Sequence, residues 1–277
     1  MEYDPIKKTL GGLFNRTPGA RKLFYSLLDT LLLRTWHVKK AVREFAKTNK
    51  GNLDVLDAGS GFGQYSYFVA KKHRNWNILG VDVKTEQIED CRKFFKKINF
   101  DKVSFEYADL TKFVRGNSYD LVLSIDVMEH IEDDVQVFKN LAASMKKDAL
   151  LVISTPSDQG GSDVHEHHKH DSYQNDGSAS FVDEHVRDGY NINEIQEKLK
   201  LAGFSRSEAQ YTYGWPGKIS WKLSMKYPIK MLNTSKVFFI IVPFYYLLTY
   251  WFVLIMNVLD VKLKHRTGTG LLVKAWK

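Results

Sequence analysis

The 277 residues carry 40 Lys/Arg against 32 Asp/Glu, a net charge of +8, with 44% hydrophobic and 26% charged residues. That balance belongs to a folded globular chain long enough to bury a sizeable core. The single cysteine, Cys91, excludes an internal disulfide and points to a reducing, cytosolic compartment.

The charge is unevenly spread. Residues 1–50 hold 11 Lys/Arg and 4 Asp/Glu, residues 51–214 hold 19 and 27, and residues 215–277 hold 10 and 1. Basic ends around an acidic middle imply an anionic partner for the ends, either a phospholipid surface or nucleic acid. The N-terminus has neither the apolar core nor the cleavage pattern of a secretory signal.

Residues 20–47 contain no Pro or Gly and space their apolar positions as one helix. A strand–helix alternation follows. Strands are expected at 52–59, 76–83, 103–110, 119–126 and 149–156, and helices at 64–73, 85–98 and 132–147, with Thr85 as an N-cap. This alternation predicts parallel strands with crossover helices, a doubly wound α/β sheet. Residues 156–190 are polar, rich in Gly, Ser, Asp and His, and read as a long lid-like loop. A helix at 191–204 ended by Gly203, a strand at 205–214 and a strand at 268–277 complete the core. The domain plan is an N-terminal helical cap (1–50), a core (51–214), an insertion (215–266) and a final core strand (267–277).

Chemistry begins in the turn after the first strand. Gly59, Gly61 and Gly63 let the backbone turn sharply and approach a ligand closely. The second strand ends in Asp82, and a carboxylate there is placed to accept hydrogen bonds from both hydroxyls of a ribose. An adenosine-type cofactor follows. The spacing departs from the dinucleotide pattern G-x-G-x-x-G, because Gln64 stands where that motif wants glycine.

The pattern Asp57-x-Gly59-x-Gly61-x-Gly63 resembles the first motif of class I SAM-dependent methyltransferases, in particular the small-molecule group that includes the quinone-biosynthesis enzymes. Asp82, the YADL run with Asp109, and YDLVLSIDVMEHIED fall in the order of that family's later motifs. The resemblance covers 52–154 well and 185–213 loosely. It implies a Rossmann-like methyltransferase sheet and S-adenosylmethionine (SAM) as cofactor. Asp57, Gly59, Ser60, Gly61 and Gly63 are then expected at the methionine end of SAM, with Asp82 and Val83 at the ribose. Ala108, Asp109 and Leu110 would meet the adenine edge, and Ile125 and Asp126 the methyl side.

Methyl transfer to a hydroxyl or an acidic carbon also needs a base. Glu129, His130, His185 and the cluster His165, His167, His168 and His170 are the candidates, with His130 and His185 taken as catalytic and Arg187 as a neighbour facing the acceptor. The histidine cluster lacks a recognised metal spacing, and no metal is expected.

The insertion is the unusual part. Lys218, Lys222, Lys226 and Lys230 recur every four residues, forming one ridge if helical at least to Tyr227, before Pro228. Residues 237–259 then carry no charge, interrupted by Pro243 and flanked by Lys236, Lys262, Lys264 and Arg266. Their length suits a membrane span. In the methyltransferase fold, however, the last strand returns antiparallel beside the strand before the insertion, so a one-way crossing is excluded. The segment must re-enter, lie in the interface or pack against protein, with Pro243 offering a bend. The expectation is a small, lipophilic acceptor methylated on oxygen or carbon. The enzyme would be cytoplasmic and peripheral on the inner face of an anionic membrane. A buried helix or a homodimer interface is the competing account of the segment. A nucleic-acid methyltransferase is the weaker alternative function, since the basic residues flank an apolar run and no N-P-P-Y-type motif follows strand four. A non-catalytic SAM-binding module is the third.

Overall fold

The computed structural model describes residues 17–160, 186–235 and 237–277. Seven strands form one sheet in the order β3-β2-β1-β4-β5-β7-β6. They are β1 (Asp54–Ala58), β2 (Asn77–Asp82), β3 (Val103–Tyr107), β4 (Tyr119–Ile125), β5 (Met145–Pro156), β6 (Arg206–Thr212) and β7 (Gly270–Trp276). The first five run parallel, and β7 lies antiparallel between β5 and β6. The doubly wound α/β sheet expected from the alternation is therefore present, and its strands bury both faces. On β1, Val55 enters one apolar cluster and Leu56 the other; on β4, Leu121 and Leu123 oppose Val122 in the same way.

Helices α3 (Gln64–Lys72) and α4 (Thr85–Lys97) cover one face, while α5 (Asp134–Ser144) and α6 (Ile192–Leu201) cover the other. Gly203 follows α6 with φ +95°, a left-handed C-terminal turn that suits glycine. Thr85 is the first helical residue of α4 and not its N-cap; Lys84 holds that place, and its N–H is taken by Asp82. Lys146 and Lys147 close no helix. They open β5, where Lys146 Nζ bridges Asp54 and Asp120 at 2.8 and 2.7 Å.

The N-terminal region is two helices, α1 (Pro18–Leu31) and α2 (Leu33–Thr48), where the pattern predicted one. Leu32 is extended (φ −91°, ψ 110°) without a proline or glycine to force it. Tertiary contacts decide the break: Tyr25 of α1 packs with Tyr67 and Phe94, while Val38, Val42 and Phe45 of α2 enter the sheet's core.

The insertion forms a helical hairpin whose two ends root at the carboxyl edge of the parallel strands. The outgoing arm is α7 (Trp215–Trp221), one π-helical turn (Lys222–Lys226) and α8 (Tyr227–Thr234); the return arm is α9 (Phe238–Lys262). Helix continues through Pro228, past the Tyr227 minimum read from the sequence. In the π-turn the Tyr227 N–H donates to Lys222 O, and Pro228 has no N–H to offer Ser224. The carbonyls of Leu223 and Ser224 accept from the hydroxyls of Tyr245 and Tyr246 on α9 at 2.8 and 2.6 Å. Pro243 also lies inside continuous helix, so it does not break the segment in two. It stands near the start of α9 and removes a single backbone donor.

One stripe of α9 faces protein. Tyr250 Oη donates to Thr30 O at 3.0 Å, and Val253, Met256, Asn257 and Asp260 are buried. Asp260 is the anchor. Its carboxylate accepts from His37 Nε2 at 2.8 Å, Gly217 N at 3.0 Å and Tyr213 N at 3.2 Å, and His265 Nε2 lies 3.2 Å away.

Candidate functional site

The glycine turn, the Asp82 carboxylate and the residues after β4 meet at the carboxyl edge of the parallel strands, where ligands of such sheets sit. Gly59, Gly61 and Gly63 have φ of +80°, +52° and +78°, the left-handed region that only glycine enters freely. Space confirms the need at Gly59, where a Cβ would lie 2.3 Å from Val127 Cγ2. The turn hangs on β2: Gly59 N and Ser60 N both donate to Val81 O at 2.9 Å.

Asp82 ends β2 half-buried. Its Oδ2 accepts from Gly61 N and its Oδ1 from Lys84 N, each at 2.9 Å, so the carboxylate is fixed against the turn with acceptor capacity left on both oxygens. Ser60 Oγ is buried with no hydrogen-bond partner among the described residues. A fixed carboxylate, a Cβ-free turn and an orphan hydroxyl fit an adenosine-type cofactor whose ribose lies over Asp82. Val83 follows, exposed. At the end of β3, Ala108 is half-buried, Leu110 is buried, and the Asp109 carboxylate accepts from Thr111 N and Oγ1 at 2.9 and 2.7 Å. Those Thr111 bonds hold the Asp109 carboxyl below its ordinary range.

Asp57 stands apart from this group. It is buried beneath the turn, where Oδ2 accepts from Ser66 N at 3.0 Å and Ser66 Oγ at 2.6 Å. Burial pushes its carboxyl up to about 6. Its direct contacts hold the start of α3, so its influence on a ligand passes through the turn.

Across the edge, Ile125 is buried and Asp126 is left-handed (φ +55°), its N–H donating to Ser154 O at 2.8 Å. The Asp126 carboxylate pairs with the Arg34 guanidinium, which α2 brings over the site. Arg34 is held in turn by its backbone N–H, which donates to Tyr213 Oη at 3.1 Å. The buried Tyr65 hydroxyl, in the first turn of α3, lies by Thr35 and within electrostatic reach of Arg34 and Asp126. Glu129 is 2% exposed and accepts from Thr155 Oγ1 at 3.1 Å. Burial first, and then the neighbouring Asp126, raise its carboxyl far above the usual range. A carboxyl so placed can hold or take a proton near neutrality.

His130 ends the short 3₁₀ turn Met128–His130 on the same edge, half-buried. His185 and the His165–His170 cluster lie outside the described residues. Arg187, a candidate to face the acceptor, has its guanidinium engaged by the Asp134 carboxylate and the carbonyls of Ile131 and Glu132, so it clips the loop after β4 to the start of α5. Arg34, Tyr65, Tyr213 and Thr155 were not singled out by the sequence: Arg34, Tyr213 and Thr155 lie outside the motifs, and Tyr65 follows the glycine turn at a position the motif leaves open.

The glycine turn also has a support outside the core. Arg21 of α1 is buried, its Nη1 on Asp90 Oδ2 at 2.5 Å and its Nη2 on Phe62 O, with Tyr25 Oη donating to the same carbonyl.

A family model described as a methyltransferase domain matches residues 49–204. A probable (S)-tetrahydroprotoberberine N-methyltransferase 2 of Papaver bracteatum is 32% identical over 104 residues, 38% of this chain and 29% of that protein. A ubiquinone biosynthesis O-methyltransferase of Rickettsia felis is 28% identical over 103 residues, 37% of this chain and 41% of that protein. The chain thus matches under half the length of these curated relatives. Among solved structures, Haemonchus contortus phosphoethanolamine N-methyltransferase 2 in complex with S-adenosyl-L-methionine superposes with a TM-score of 0.61 at 18% identity, covering 97% of this chain and 60% of that one. The likeness extends to the fold across nearly the whole chain, and the family model spans its nucleotide-binding half. The chain belongs to the methyltransferase domain family.

Proposed function

We propose that the chain transfers the methyl group of SAM to an oxygen or acidic carbon of a small, lipophilic acceptor at a membrane surface. The observation that carries this reading is the Asp82 carboxylate fixed against a glycine turn, facing a second group of polar side chains across the same sheet edge. SAM, when bound, supplies an electrophilic methyl group on a sulfonium. The protein's own part is positioning and proton handling. Asp82 would hold the ribose, and Ser60 and the turn the methionine end. Glu129, once ionised, is placed to receive the acceptor's proton as a carboxylate whose basicity burial has raised, with His130 beside it on the same turn. Arg34 and Tyr213 roof this side and limit water.

Support for the lipophilic acceptor comes from the hairpin, which leaves and rejoins the sheet at the edge where the site lies. Calorimetry with SAM, S-adenosylhomocysteine and NAD tests the cofactor: the first two should bind and NAD should not. Asp82→Ala should cost about 1–3 kcal/mol of S-adenosylhomocysteine binding, and an unchanged affinity would refute the site. Turnover of SAM with lipid extracts separates an enzyme from a SAM-binding module. Methylation of nucleic acid but not of extract would favour the alternative substrate.

A further inference from the structure

The return arm α9 is long and apolar enough to cross a membrane, yet it is laid against protein along one side. Tyr246, Tyr250, Val253, Asn257 and Asp260 recur at spacings of four and three and face the outgoing arm, α1 or α2. On the opposite stripe Ile240, Phe244, Leu247, Leu248, Trp251 and Ile255 are exposed, from 56% at Ile255 to 80% at Leu248. A soluble helix of this kind would normally hide such a stripe in a core.

Three occupants suit an apolar stripe, and the observations separate them. A bilayer crossing would strip α9 of its protein partners, including the buried Asp260 that binds α2, Tyr213 and Gly217. It would also leave the carbonyls of the π-turn without Tyr245 and Tyr246. A second copy would meet this face through a two-fold axis and bring like charge to like charge. Residues 215–277 hold ten Lys/Arg against one acid, and Lys218, Lys222, Lys230, Lys262, Lys264 and Arg266 are exposed. A basic, Trp-bearing collar around an apolar stripe complements an anionic leaflet.

We infer that the hairpin docks in one leaflet of an anionic membrane with α9 lying in the plane of the interface, its outer stripe immersed and its Asp260 stripe still bound to the protein. This rests on the membrane-surface reading above and gives it a geometry. The protein is monotopic and does not span. The roots of the hairpin, Tyr213 and Gly270, then hold the sheet edge with its ligand site close to the lipid, so an acceptor dissolved in acyl chains has a short path in.

The full chain, purified in detergent and diluted, is to be mixed with phosphatidylcholine vesicles with and without phosphatidylserine, with S-adenosylhomocysteine titration run in parallel. Flotation with the anionic vesicles is expected, and brominated acyl chains should quench a fluorescence component that Trp251→Phe removes. Leu247→Gln with Leu248→Gln should weaken vesicle partitioning roughly tenfold or more, since two leucines lose their apolar burial. Each of Lys218→Glu and Lys222→Glu should weaken it by about fivefold on anionic vesicles only. Retained partitioning in the double leucine variant overturns the proposal. So does cleavage of hairpin sites only by protease enclosed inside sealed vesicles and not by protease added outside, which would mean a span. A wild-type dimer that the leucine variant turns into a monomer overturns it as well and assigns the stripe to a second copy. The vesicle readout uses no cofactor, so a failed S-adenosylhomocysteine titration strikes the methyltransferase reading alone.

Discussion

Arg21 Nη2 donates to the carbonyl oxygen of Phe62 at 2.7 Å, in the middle of the glycine turn and 41 residues further along the chain. A buried cation on α1 therefore holds the backbone that faces the cofactor site, and the nucleotide half of the protein depends on a helix outside the sheet. Arg21→Ala would remove this bond and leave the Asp90 partner unpaired. A charge-assisted hydrogen bond is worth about 1.5–3 kcal/mol, so S-adenosylhomocysteine affinity should fall by roughly tenfold or more in calorimetry. Tyr25→Phe, which removes one hydroxyl from the same carbonyl, should give a smaller loss.

Gly59→Ala should be among the most damaging single changes in the turn. The new methyl would meet Val127 Cγ2 at 2.3 Å while the backbone stays at φ +80°. Strain of this kind costs on the order of 1–3 kcal/mol before the clash is counted. Thermal unfolding of Gly59→Ala, Val127→Ala and the double variant would separate the two terms. Val127→Ala should relieve the steric part only, leaving the double variant less stable than Val127→Ala alone.

Glu129 makes stability pH-dependent in an identifiable direction. Burial and the nearby Asp126 raise its carboxyl from an ordinary 4.5 to about 8. Between those values the unfolded chain has released the proton and the folded protein still holds it. The stabilisation is full below the lower value and is lost as pH rises through the upper one. In that window stability should fall by on the order of 1 kcal/mol per pH unit from this group. Chemical denaturation of wild type and Glu129→Gln from pH 5 to pH 8 (a range on the order of that window) would show it as the difference between their slopes. Parallel slopes would remove Glu129 from the set of perturbed acids.

Asp260 should matter to the hairpin more than to the sheet. Asp260→Ala would leave His37, Tyr213 N and Gly217 N facing a void where a buried carboxylate now takes three hydrogen bonds. Breaking a buried charged cluster by removing one partner costs about 3–5 kcal/mol. Hydrogen exchange should quicken across α7–α9 well before it changes in β1, β2 and β4.

Much of the core was legible because its determinants are local. Strand period, a glycine turn and an acid at a strand end lie within a few residues of one another, and Gly59, Gly61, Gly63 and Asp82 stand together as the spacing implied. The group of side chains across the sheet edge from Asp82 was legible only in part. Glu129 and His130 sit in a motif, but Arg34 reaches Asp126 from a helix whose pattern gave one continuous rod. The break at Leu32 carries no proline or glycine, so only the packing of its two flanks reveals it. Pro228 left the length of the outgoing helix open, and Pro243 suggested a break that the helix does not make. A proline's missing donor predicts a helix end, whereas the Ser224 carbonyl found a tyrosine hydroxyl on the other arm.

The placement of β7 sets an order of events during synthesis. Among the described strands β6 pairs with β7 alone, and β7 follows the hairpin in the chain. A ribosome therefore delivers β1 to β5 first, then β6 with no neighbour to pair with, then the greasy return arm, and only afterwards the strand that fastens all three. For that interval α9 is out of the tunnel or leaving it with its Asp260 stripe not yet clamped between α2 and a finished sheet. Chains truncated before Gly270 and released from the ribosome should accordingly expose both stripes of α9 and be the form most prone to capture by chaperones or premature lipid contact. Completion of the last strand would then turn a two-sided sticky helix into a one-sided one.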